Sequence, residues 1–251
     1  MERVSIIPGD SSINMMLVVP YGADDPTTVH IAETCVEEMG CYAIINRGFE
    51  RSDHVDVMTD KADCHKVSHA IEDVVREEFL DPIKNTKERM VNRIVRHATK
   101  NNAWPNLADI KDRAMILYIV GVSDTVHKVA GEHVSMVIGC GATTFSGSVT
   151  CSDWRRDLLV YLGRDMWSDT MGSVCVADVR GAYAGKNQDN MNQFFRQHEP
   201  DKFVETMQLS FPACMHASKK QAVFTGICLG QILSKFITRT DFDQSVRFNI
   251  V

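Results

Sequence analysis

The run Ala114-Met115-Ile116-Leu117-Tyr118-Ile119-Val120-Gly121 decides the architecture. It is the most continuous apolar stretch of the chain. A strand that is apolar at every position has no solvent face, so it belongs in the middle of a sheet covered on both sides. Shorter runs of the same kind stand on either side of it. Residues 14–19 (Asn-Met-Met-Leu-Val-Val) end in Pro20-Tyr21-Gly22 and read as a buried strand with a turn after it. Residues 41–46, 134–138, 174–179 and 204–209 read as further strands.

Helical periodicity fills the gaps. Asp25-Pro26 is a capping residue followed by a proline that the first helical position tolerates. Val29, Ala32, Val36 and Met39 then recur on one face, and Gly40 ends the helix. Two helices are expected after the charged stretch 47–66. The first covers about residues 67–80, with Ile71, Val74 and Val75 inward. The second opens at Asp81-Pro82, turns Ile83, Val91, Ile94 and Val95 inward, and frays near Asn101. Ser152 and Asp153 can cap a helix through Leu162, and residues 218–237 form a last helix that is apolar on most sides. Its Gly226 and Gly230 permit a close backbone approach, and Gln221, Gln231 and Lys235 exclude a membrane reading of that spacing.

This alternation predicts an α/β, three-layer fold, with a central, mostly parallel mixed sheet and helices on both faces. No linker or repeat divides the 251 residues, so one domain spanning 1–251 is expected. A 44 % apolar and 24 % charged composition excludes a disordered chain. A net charge of −6 argues against a nucleic-acid partner. No apolar run approaches the ~20 residues of a spanning helix, so no membrane partner is expected. The first residues lack the pattern of a signal peptide, which points to the cytoplasm. The eight cysteines form no CxxC pair and are read as reduced, mostly packing groups.

Ligands of such sheets bind beyond the carboxyl ends of the strands, which here means residues 21–25, 46–51 and 121–125. Asp24 and Asp25 offer two carboxylates there, for a cation or as a base, although Asp25 also suits a helix cap. Asp124 ends the central strand, a good catalytic position and equally a good turn position. His30 and Glu33 share a helix face and suit either a metal or a plain surface pair. Asp63-Cys64-His65-Lys66 gathers an acid, a thiol, an imidazole and an ammonium, and Lys66 or Arg47 can hold an anionic group. Neither Gly139-Cys140-Gly141 nor the glycine-rich stretch at 181–186 has the spacing of a phosphate loop.

Several segments, taken in order, resemble the N-formylglutamate amidohydrolase and phage poly-γ-glutamate hydrolase superfamily, whose fold is related to zinc carboxypeptidases. They are Val18-Val19-Pro20-Tyr21-Gly22, Thr28-Val29-His30-Ile31-Ala32, the stretch 42–48 with its Asn46-Arg47-Gly48, Asp63-Cys64-His65-Lys66, the stretch 119–124, and Met207-Gln208-Leu209-Ser210. The resemblance spans roughly residues 15–237. It implies a zinc held by two histidines and a carboxylate, a glutamate base, a basic grip on a substrate carboxylate, and cleavage of an amide.

Position by position, much of that machinery is replaced. Tyr21 stands where the resemblance expects the first histidine, Val120 where it expects the second, and Ser210 where it expects the base. Asp24 or Asp25 keeps the carboxylate ligand. Asp63 and Lys66 keep the acid and one positive charge of a further motif, and Arg47 and Asp124 stand unchanged. Valine cannot ligate zinc, and an unactivated serine is no base at neutral pH.

The expected protein is therefore a catalytically degenerate relative that acts in binding, regulation or assembly. It retains a pocket for a small anionic ligand or peptide, lined by Tyr21, Arg47, Asp63, His65, Lys66 and Ser210. The alternative is an active metal-dependent amidase acting on N-formyl amino acids or γ-glutamyl amides. Its divergent site would use Asp24 or Asp25, His65 and Asp124, and zinc is the cofactor only in that case. A pure protein-interaction module ranks third.

Overall fold

A computed structural model describes residues 2–10, 12–50, 74, 76–101, 113–122, 134–141, 150–167, 173–176, 182–185, 192 and 203–238. The strands are β1 (Val4–Ile7), β2 (Met15–Val19), β3 (Tyr42–Asn46), β4 (Ala114–Val122), β5 (Val134–Gly139), β6 (Ser173–Val176) and β7 (Val204–Pro212). The helices are α1 (Pro26–Met39), α2 (Asp81–Lys100), α3 (Asp153–Trp167) and α4 (Lys219–Thr238).

All seven strands join one sheet in the order β1-β3-β2-β4-β7-β5-β6. Neighbours from β3 to β7 run parallel, as do β5 and β6, while β1 against β3 and β5 against β7 are antiparallel. The sheet is thus mixed and mostly parallel, and β4 lies at its centre, fully buried from Ala114 to Val120. Alternate residues of each inner strand face opposite layers. Met15, Leu17, Val19, Ile119 and Leu209 pack with α1, α3 and α4, whereas Met16, Val18, Ile116, Tyr118 and Val120 pack with α2.

Local chemistry places α1 as expected. The Asp25 carboxylate accepts the Thr27 N–H, Pro26 opens the helix, and Gly40 ends it at φ 72° with its N–H on the Val36 carbonyl. Gly226 and Gly230 let α4 lie directly on α1. A Cβ at Gly226 would stand 2.6 Å from the Ile31 carbonyl oxygen, and one at Gly230 would stand 2.6 Å from Glu38 Cβ.

Asp81-Pro82 opens α2 as expected, and a wider π turn over Arg76–Leu80 runs straight into it. Two local expectations are corrected, and one strand is added. Val95 points outward, because the buried stripe runs through Ile83, Lys87, Met90, Ile94 and Ala98, and Val95 falls beside it. α3 continues to Trp167, well past Leu162, so that Trp167 can seat edge-on against Phe211. β1 had no sequence signal: it is a four-residue edge strand whose Ile6 is exposed. Most of the first expected helix at 67–80 lies outside the described residues.

At the start of β7, Glu205 is buried between two guanidiniums. Arg155 Nη1 lies 2.8 Å and Arg113 Nη1 2.6 Å from its Oε1. Burial lowers the Arg155 pKa and the Glu205 charge opposes that shift, so the carboxylate is what makes a buried arginine tolerable.

Candidate functional site

The parallel strands β3, β2, β4 and β7 end together along one edge of the sheet. Two distinct groups of side chains stand there, one on each face.

On the α2 face, Val120 and Ser210 are register partners on β4 and β7, and Tyr118 and Gln208 are partners two residues earlier. Gln208 Nε2 donates to Ser210 Oγ at 3.0 Å. Tyr21 and Val120 belong to one buried apolar group with Val18, Ile44, Phe49, Phe79 and Tyr118. The Tyr118 hydroxyl is buried and makes no hydrogen bond, and burial pushes its phenol pKa well up. No imidazole or carboxylate among the described residues is hydrogen-bonded to Ser210, so nothing described there takes its proton.

On the other face, a polar knot joins α1 to the turn after β7. His216 follows the short 3-10 turn Ala213–Met215. Its Nδ1 lies 2.9 Å from Thr27 Oγ1 and 3.4 Å from Asp25 Oδ2, and its Nε2 lies 3.1 Å from the Phe211 carbonyl oxygen. The Thr27 hydroxyl also reaches Asp25 Oδ1 at 2.5 Å. Gly121 makes room for the knot: a Cβ there would collide with Asp25 Oδ2 and stand 2.9 Å from His216 Cε1. Both ring nitrogens of His216 are engaged within the protein, so the knot ties elements together and aims no base at a substrate.

Arg47, at the end of β3, pairs with Glu33 of α1, donates from Nε to Ser5 Oγ at 2.5 Å, and keeps about a third of its side chain exposed. Glu33 also faces His30 at 3.4 Å, so the expected His30–Glu33 pair is part of a surface chain with Arg47. Asp24 is exposed and Asp25 half-buried. Asp63, His65, Lys66 and Asp124 lie outside the described residues.

Sequence reasoning missed His216 and Thr27. The rule that sites lie beyond strand ends applies to β7 as well as to β2, β3 and β4, and His216 sits just past the end of β7.

No family model matches the sequence, and no curated protein matches it. Among solved structures, N-formylglutamate amidohydrolase from Ralstonia eutropha JMP134 superposes with a TM-score of 0.56 at 10% identity, over 95% of this chain and 98% of that one. The gene product Atu2144 from Agrobacterium tumefaciens superposes with a TM-score of 0.55 at 12% identity, over 95% and 96% of the two chains. The chain has the N-formylglutamate amidohydrolase fold. At such identities the likeness concerns architecture, and the chemistry must come from the residues present.

Among the described residues, those at the matched positions do not fit the zinc that the resemblance implies. Of the two positions where the resemblance expects histidines, one is Val120, with no donor atom, and the other is Tyr21, packed in the apolar group beneath α2. Asp25 turns its carboxylate to the opposite layer, where it caps α1 and meets Thr27 and His216. Among the described residues no three His, Cys, Asp or Glu side chains converge. No step is therefore routed through a metal.

Proposed function

We propose that this protein is a catalytically degenerate member of the amidohydrolase fold, which binds a small anionic ligand or peptide and acts in binding, regulation or assembly. One observation carries the reading. At the strand edge where the resemblance expects metal and base, Tyr21 and Val120 are packed into an apolar layer, and Ser210 is hydrogen-bonded to Gln208 with no imidazole or carboxylate bonded to it among the described residues. Such a surface can shape a pocket, but it supplies neither a metal-activated water nor a general base.

The anion would be held by Arg47 and Lys66. Arg47 pairs with Glu33, so a ligand carboxylate competes with an internal carboxylate for the same guanidinium. The cytoplasm remains the proposed compartment. Among the described residues no helix is long and apolar enough to cross a membrane.

The test pairs two measurements on protein purified without chelator. Metal content is expected at background, and N-formylglutamate and poly-γ-glutamate are expected to be left intact. Stoichiometric zinc together with amide hydrolysis that is lost in Asp124→Ala would replace this reading with that of an active amidase on a relocated site.

A further inference from the structure

α2 carries six lysines and arginines against two carboxylates, Asp81 and Glu88, in a chain whose net charge is −6. One side of this helix is set by the core, where Ile83, Lys87, Met90, Ile94 and Ala98 are buried on the sheet. At about 100° per residue, Arg89, Arg93, Arg96 and Lys100 fall within about 60° of one another on the side turned away from it. They form a ridge about 16 Å long, at a rise of about 1.5 Å per residue. Glu88 stands about 100° round the helix from Arg89, off the ridge.

Arg93 is used inside the fold. Its guanidinium lies over the Tyr42 ring and donates to Tyr42 Oη at 2.6 Å and to Asn14 Oδ1 at 3.2 Å. Arg89, Arg96 and Lys100 are exposed, and among the described residues none of them pairs with a carboxylate. A helix face that serves only solubility mixes both signs, with opposite charges four residues apart. Here the neighbours four apart, Arg89 with Arg93 and Arg96 with Lys100, repel each other. The carbonyl end of a helix favours a cation in its last turn, which accounts for Lys100. That effect does not extend to Arg89, about three turns earlier.

We propose that the outward ridge of α2 is a docking surface for a short acidic peptide segment of a partner protein, whose carboxylates are held by Arg89, Arg96 and Lys100. A guanidinium fork meets a carboxylate with two parallel N–H bonds, which suits arginine to this task. Length and charge set the class of partner. The ridge accommodates roughly five residues of extended chain. Outside α2 the chain holds a surplus of ten negative charges, its −6 less the +4 of the helix. A nucleic acid, charged every few ångströms along its length, would run off the ridge onto that acidic remainder, whereas a short peptide ends with the ridge. The ridge faces away from the sheet, so the proposal does not rest on the pocket at the strand ends.

The full chain is titrated into fluorescein-labelled penta-aspartate at low ionic strength and followed by anisotropy. Saturable binding is expected, and added salt should weaken it. Arg89→Gln/Arg96→Gln should lower the affinity about tenfold or more. Lys219→Gln/Lys220→Gln removes the same charge from exposed positions at the start of α4 and should change it by less than about twofold. Thermal melts of both variants should match the parent, because glutamine suits a helix about as well as lysine or arginine. Absence of binding, or an equal loss in the two variants, overturns the proposal. Tighter binding of a five-nucleotide oligothymidylate, lost in Arg89→Gln/Arg96→Gln, also overturns it, since the ridge would then serve a nucleic acid.

Discussion

Replacing Gly226 by alanine sets two effects of opposite sign against each other. Gly226 lies inside α4, and by helix propensity alone alanine is better there by about 0.8–1 kcal/mol. The structure predicts the reverse outcome. The new methyl would stand 2.6 Å from the Ile31 carbonyl oxygen, 2.8 Å from Thr34 Cβ and 3.2 Å from Ile31 Cα. Ordinary contact begins near ~3.4 Å, so α1 and α4 must separate by several tenths of an ångström. The nearest obstacle is backbone, which no rotamer change can move. Overpacking of this kind costs about 1–3 kcal/mol, and a contact this short against backbone belongs at the upper end, about 2–3 kcal/mol, so the net effect is a loss of about 1–2 kcal/mol. Urea unfolding should show a lower midpoint with an unchanged slope. Gly230→Ala, which meets Glu38 Cβ at 2.6 Å and the Cys35 carbonyl only at 3.3 Å, should lose less. A Gly226→Ala protein as stable as the parent, or more so, would refute the close crossing of α1 and α4.

Three further outcomes are expected. Glu205→Gln removes the charge between Arg113 and Arg155 and should cost about 3–5 kcal/mol in denaturant unfolding; a change below about 1 kcal/mol would mean the network contributes little. Burial pushes the Cys41 thiol from 9.0 up to about 12, so the folded state favours the protonated form. That contribution is complete below pH 9 and is lost as pH rises from about 9 towards 12, so stability should fall across that window, and less so in Cys41→Ala. Glu33→Gln takes the carboxylate from Arg47; if Arg47 grips the ligand, titration calorimetry with glutarate should show tighter binding, and weaker or unchanged affinity would remove Arg47 from the proposed pocket.

Where the determinant is local, the chain can be read directly. The cap, proline and left-handed glycine of α1 lie within a few residues of the structure they create, and all three act as read. The breadth of the apolar run at 114–121 placed β4 centrally for the same reason: its composition reports burial on both faces. The reading failed where the signal was weak or ambiguous. β1 has only four residues and leaves Ile6 exposed, so it gains its place by pairing with β3.

The candidate site divides along the same line. Sequence nominated Tyr21, Asp25, Val120 and Ser210, but it could not say that Asp25 turns to one layer while Tyr21 and Val120 turn to the other. A strand alternates its side chains, so the face a residue meets depends on pairing register and on the loop that leaves the strand. His216 reaches Thr27 across 189 positions, a meeting that no spacing rule encodes. Composition and period thus determined by themselves most of the strands and helices, and the resemblance named the positions where hydrolytic donors are expected. Only tertiary structure decided which of the remaining polar groups share a face, because that follows from how the strands lie side by side and not from their order along the chain.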